Sequence, residues 1–149
     1  MRSALFVLDA SVTSGWLIDS QQTPYKEAVL AALIQHQTMA LVPALWHLEV
    51  ANFIMLRIKR DLLPIDKAHL LAQYAEKLPV TTDELSWNAL AWRQNLKISK
   101  LFELAAINQL TSYDGAYLAL ALRSGLPLAT SDKALIEAAK RSGIQIFQP

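Results

Sequence analysis

The run Ala4-Leu5-Phe6-Val7-Leu8 is continuously apolar and then stops on an aspartate, Asp9. A strand that faced solvent on one side would alternate apolar and polar residues. A run without alternation, bounded after five residues, fits a strand buried on both faces in the middle of a sheet. Further short strands are expected at the apolar runs Ala40 to Val42 and Pro127 to Ala129, and at Val80 to Thr82 and Ile144 to Phe147. Between them the spacing of apolar residues is helical: around Val12, Trp16 and Leu17, from Tyr25 to Gln37 behind Pro24, from Leu45 to Arg60, from Pro64 to about Leu78, from Asp83 onward, and from Ser112 to Ser124. Gly125 then supplies a left-handed cap, and a last helix runs from Asp132 to Gly143. Short apolar strands alternating with helices predict an α/β chain with a parallel sheet covered on both faces by right-handed crossovers.

The 149 residues suffice for one domain with one core, so residues 1–149 are read as a single unit. An apolar fraction of 53% against 18% charged residues excludes a disordered or fibrous chain and leaves apolar surface that a partner could cover. The absence of cysteine excludes a disulfide scaffold, a thiolate metal site and a cysteine nucleophile. The apolar opening is too short for a signal peptide and no stretch approaches the roughly 20 residues of a membrane span, so a soluble, cytoplasmic protein without membrane association is expected. A formal charge of +1 decides nothing about nucleic acids, which are held by local patches.

Four acids stand where chemistry could occur. In an open parallel sheet, ligands collect beyond the carboxyl ends of the strands, and Asp9 and Asp132 follow two such ends. Asp9 and Asp132 each have a plain alternative as helix N-caps. Glu49 interrupts an apolar helix, in PALWHLEVANFI, and could equally be a solvated position. Asp114, in LTSYDGAYLALAL, is harder to explain that way, because Thr111 or Ser112 can already cap the helix. Carboxylates gathered without a fixed cation repel one another and are poorly solvated, so such a group normally persists by binding metal. Magnesium or manganese suits an all-oxygen ligand set.

The blocks LFVLDASV, VPALWHLEVANFI and LTSYDGAYLALALRSGLPLATSDKALIEAAKRSGIQIF resemble the motif blocks of PIN domains, and among these the VapC-type toxins. The resemblance covers both ends and the Glu49 helix, while the stretch from Leu62 to Gln109 matches in helical character only. It implies a three-layer α/β/α sandwich around a parallel sheet of about five strands. It further implies a metal-dependent endoribonuclease in which Asp9, Glu49 and Asp114 bind the ion and Asp132 supports a second ion or the attacking water. Ser11, Asn52 and Thr130 match positions that commonly assist. A VapC-type toxin would be a homodimer held inactive by a cognate antitoxin laid along its groove, with RNA as substrate. A PIN nuclease of RNA processing without an antitoxin, or a PIN-like binding module without turnover, are the alternatives.

The segment QNLKISKLFELAAINQ departs from the family pattern and leaves the site's rim open. An aspartyl phosphatase or a receiver domain would need a second acid near Asp9, and Asp9-Ala10-Ser11 lacks it. His36, His47 and His69 have no metal-ligand spacing. The basic residues Arg57, Lys59 and Arg60, with Lys97 and Lys100, read first as solvated surface and second as contacts to RNA backbone. Trp16, Trp46, Trp87 and Trp92 read as core or interface, and Trp16 and Trp46 lie on the helices expected to flank the acids, where they could line a partner's groove.

Overall fold

The computed structural model describes residues 4–37, 39–83 and 97–149. The element order is β1 (Ala4–Leu8), α1 (Ala10–Leu17), a 3-10 turn (Asp19–Gln21), α2 (Pro24–Gln35), β2 (Met39–Val42), α3 (Leu45–Lys59), α4 (Ile65–Ala75) and β3 (Val80–Thr82). After these come α5 (Ile98–Asn108), α6 (Ser112–Ser124), β4 (Leu128–Ala129) and α7 (Lys133–Arg141). Trp87, Trp92 and the helix expected beyond Asp83 lie outside the described residues.

All strand pairs are parallel, in the order β3-β2-β1-β4. β1 is internal, as its unbroken apolar sequence requires, and Phe6, Val7 and Leu8 have no solvent exposure. The chain winds from β1 through β2 to β3 on one side, then returns to place β4 on the other flank of β1. That reversal opens a crevice at the carboxyl ends of β1 and β4. Helices α1 to α4 pack among themselves, and α6 packs against α5, α7 and β1. The result is the α/β/α sandwich, its core filled by Phe6, Leu8, Tyr117, Leu118, Leu128 and Leu135.

Among the described residues the sheet has four strands rather than about five. The expected strand Ile144 to Phe147 reduces to one parallel bridge, Leu128 to Ile146. Its hydrogen bonds are Leu128 N–H to Gln145 O at 2.9 Å and Phe147 N–H to Leu128 O at 2.9 Å. β4 has only two residues, so it offers too short a ladder to extend the pairing. Phe147 is nonetheless anchored, with its ring 4.1 Å from that of Phe6.

Local chemistry sets the helix ends near the crevice. Gly125 adopts φ 68°, a conformation that costs glycine little, so α6 stops there and the chain turns into β4. Thr111 opens α6 by accepting the Asp114 N–H on its hydroxyl oxygen.

Candidate active site

Asp9 follows β1 directly, and its backbone N–H bonds Ala129 O at 3.0 Å, which fixes it beside the end of β4. It occupies the N-cap position of α1, yet its side chain makes no capping bond. Its carboxylate is instead aimed across the crevice, where Oδ2 accepts the Ser11 hydroxyl at 2.5 Å and the Thr130 hydroxyl at 2.7 Å. Ser11 Oγ accepts the Ser131 N–H and Thr130 Oγ1 accepts the Asp132 N–H, each at 3.0 Å. The two hydroxyls thus tie the end of β1 to the end of β4 through one carboxylate oxygen.

Asp9 is 4% exposed. Burial lifts its carboxyl above the usual range; the Ser11 and Thr130 hydrogen bonds oppose that, and the charge of Asp114 adds to it. Glu49, half-buried on α3, is lifted in the same way: burial is the main cause, a hydrogen bond from Tyr117 opposes it, and the charges of Asp9 and Asp114 reinforce it. Asp114 sits in the first turn of α6, where its Oδ2 accepts the Thr111 hydroxyl at 2.7 Å. Asp9, Glu49 and Asp114, remote in sequence, therefore act on one another electrostatically.

Asp132 stands apart from this trio. Its Oδ1 accepts the Leu135 N–H at 2.8 Å, so it caps α7, as its plain reading holds. Its link to Asp9 runs through Thr130. Asn52 is exposed and shares with Glu49, Leu45, Leu48 and Tyr113 a shallow depression on the surface.

Two participants escaped the sequence reading. Tyr117 is fully buried and donates its hydroxyl to Glu49 Oε2 at 2.5 Å. Burial, followed by the charges of Asp9 and Glu49, keeps that phenol protonated far above its ordinary range. The signal was its place three residues after Asp114, on the same helix face. Lys26 is buried on α2, and its ammonium bonds Gln21 O at 2.9 Å and Ser14 Oγ at 3.1 Å. Burial lowers its pKa while the charge of Asp9 raises it, so it lies within the electrostatic reach of the crevice without pairing to a carboxylate. A lysine one residue beyond a tyrosine at a helix start gives no sign of burial in sequence.

Trp16 and Trp46 are buried, as their reading as core expected. Their indole N–H groups bond Lys26 O at 2.7 Å and Thr13 Oγ1 at 3.1 Å. Trp46 also lines a surface hollow with Val50, Ile54 and Ala75. The exposed apolar residues beside the acids are Leu48 and Tyr113, 74% and 64% exposed.

The donor set suits a hard divalent cation, being all oxygen, desolvated at Asp9 and Glu49, and unmatched by any ion pair among the described residues. As they stand, however, no three Asp, Glu or His side chains among the described residues close on one point as ligands would. Glu49 and Asp114 are half-buried, while Asp9 is buried and held by Ser11 and Thr130.

The raised carboxyls carry a stability consequence. A group whose folded pKa exceeds its unfolded value stabilises the fold below the ordinary carboxyl pKa of about 4 and loses that contribution as pH rises through the folded value. In chelator, Asp9→Asn should therefore gain melting temperature relative to the parent as pH climbs from about 4 to neutrality. Thermal melts across pH read this difference directly, and a constant offset between the two proteins would contradict it.

A family model described as PIN domain matches residues 6–141 of the chain. No curated protein matches it.

Proposed function

Because the chain belongs to the PIN domain family, whose members are generally nucleases that use divalent metal ions, we propose that it is a magnesium- or manganese-dependent endoribonuclease. The observation that carries this reading is that the desolvated carboxyls of Asp9 and Glu49 feel the charge of Asp114 at the strand-order reversal, and that no ion pair matches the three among the described residues. Such a group is costly to maintain in a protein that binds no cation.

In this reading Asp9, Glu49 and Asp114 hold the ion, and Asp9 is the fixed member because Ser11 and Thr130 lock its rotamer. Asp132, turned toward α7 and linked through Thr130, supports a second ion or orients the attacking water. Asn52 contributes to the rim beside Glu49. When bound, a divalent ion supplies Lewis-acid stabilisation of the phosphodiester and activates water at neutral pH. The chain's own task is to keep the carboxylates ionised, oriented and shielded, and Tyr117 contributes by donating to Glu49.

Water as nucleophile makes the substrate's 2′-hydroxyl dispensable for attack, so cleavage should leave 5′-phosphate and 3′-hydroxyl ends and stop in chelator. Product ends are read by ligation and phosphatase sensitivity. A 2′,3′-cyclic phosphate, or full activity in chelator, overturns the reading.

The VapC-type resemblance extends the proposal to the toxin of a toxin–antitoxin pair, a homodimer restrained by a cognate antitoxin. The exposed Leu48 and Tyr113 beside the acids support it by offering an apolar partner a foothold over the crevice. Expression alone should then arrest growth, and co-expression of the adjacent small open reading frame should relieve it. A harmless monomer by sedimentation would remove the toxin assignment and leave the nuclease.

A further inference from the structure

Beyond the carboxylates, α6 borders a cavity of about 220 Å³. Its walls are Leu45 at the start of α3, Leu101 of α5, and Tyr113, Ala116 and Leu120 on α6. Arg123 and Asp83, ion-paired with each other, also line it. Tyr113 and Leu45 also line the shallow depression that contains Glu49 and Asn52, so the two hollows meet at these side chains. Asp114 is the next residue after Tyr113. A chain bound with a phosphate at the carboxylates has this cavity as the adjoining space.

Resting on the nuclease reading, we propose that the cavity receives one unpaired base of the RNA, next to the bond that is cut. The chemistry fits that occupant. Unpaired bases are held by stacking on aromatic rings and guanidinium planes while polar groups meet their edges. Tyr113 supplies an exposed ring, the leucines and Ala116 supply apolar walls, and the Arg123–Asp83 pair adds charged groups to the lining. The volume lies below the range of roughly 300 to 1,000 Å³ typical of larger ligands, as suits a single base. An apolar side chain from a protein partner would gain nothing from a charged pair in the lining, whereas a base carries donors and acceptors on its rim.

The test begins with the full-length protein, manganese and a randomised pool of short unpaired RNAs. The best-cut RNA is then made with an abasic ribose at each position around the cut in turn. Loss of base stacking should lower kcat/KM by about tenfold to a hundredfold at one position adjoining the cut and by little elsewhere. Tyr113→Ala, a change at an exposed residue, should lower cleavage of the intact RNA by a similar factor and should be nearly indifferent to the abasic substitution at that position. Ala116→Leu, which fills the cavity, should behave alike, and Tyr113→Trp should restore activity. If the parent cuts RNA but tolerates every abasic substitution, or if Tyr113→Ala stays as sensitive as the parent, the base site is overturned and the nuclease stands. If no RNA in the pool is cut with manganese present, the nuclease reading fails and the base site falls with it.

Discussion

Asp9→Asn and Asp114→Asn are each expected to lower RNA cleavage by roughly a hundredfold to ten-thousandfold, the range that corresponds to losing several kcal/mol of charge stabilisation at a metal-assisted phosphodiester. Both changes keep the shape of the side chain. Asparagine at residue 9 can still accept the Ser11 and Thr130 hydroxyls through its carbonyl oxygen, and asparagine at residue 114 can still accept from Thr111, so the local bonds survive. What is lost is charge at the trio. The fold should hold, and in chelator the Asp9 variant should melt higher near neutral pH, because the buried charge that opposed folding is gone. Glu49→Gln should follow the same pattern. Asp132→Asn should lose least, about tenfold, since asparagine caps helices as well as aspartate does and the residue lies outside the coupled group. Initial rates at saturating manganese, with melting curves as the control, separate these outcomes. An Asp132 variant as inactive as the Asp9 variant would place the ion differently.

Tyr117 is expected to show the second large effect, and it divides into two parts. Tyr117→Ala empties a fully buried aromatic site in the core and should cost about 3–5 kcal/mol. That is a large share of the roughly 5–15 kcal/mol by which domains are stable, so the variant should be largely unfolded or strongly depressed in melting temperature. Tyr117→Phe keeps the ring and removes only the hydroxyl that donates to Glu49. The fold should survive. Without the donor, burial and the charges of Asp9 and Asp114 act on Glu49 unopposed, so its carboxyl rises further and holds its proton to higher pH. The acid limb of the rate profile should then move to higher pH, with activity recovering as pH increases. An unchanged acid limb in Tyr117→Phe would show that the hydroxyl serves packing alone. A structural role by itself would change melting and leave the pH profile in place.

The fold class was legible because its signals are local. An apolar run with no alternation, as in Ala4 to Leu8, has only a doubly buried strand to become, and Gly125 can end α6 wherever that helix lies. Thr111 ahead of Asp114 was also sufficient, from sequence, to show that capping did not require the acid. The fifth strand failed for a tertiary reason: Ile144 to Phe147 has strand-like residues, but β4 gives it a single place to pair. For the tryptophans, their helices were located correctly. Their burial was expected too, but the indole partners, the Lys26 carbonyl and the Thr13 hydroxyl, are specified by no sequence pattern.

For the site, the sequence by itself determined which acids were available and that two followed strand ends. Only the tertiary structure decided which of them act together. Asp9 and Asp132 had the same plain explanation as helix caps, and they divide because the Asp9 carboxylate turns across the crevice to Ser11 and Thr130 while the Asp132 carboxylate turns back to Leu135. Glu49 joins Asp9 because β2 lies beside β1 and α3 packs on α1, and Asp114 joins because α6 packs against β1, closing distances of many residues into one electrostatic neighbourhood. Tyr117 belongs to that neighbourhood for the same reason. A buried hydroxyl and a desolvated carboxylate become partners only when a long crossover brings them together, and local sequence carries no record of the distance between them.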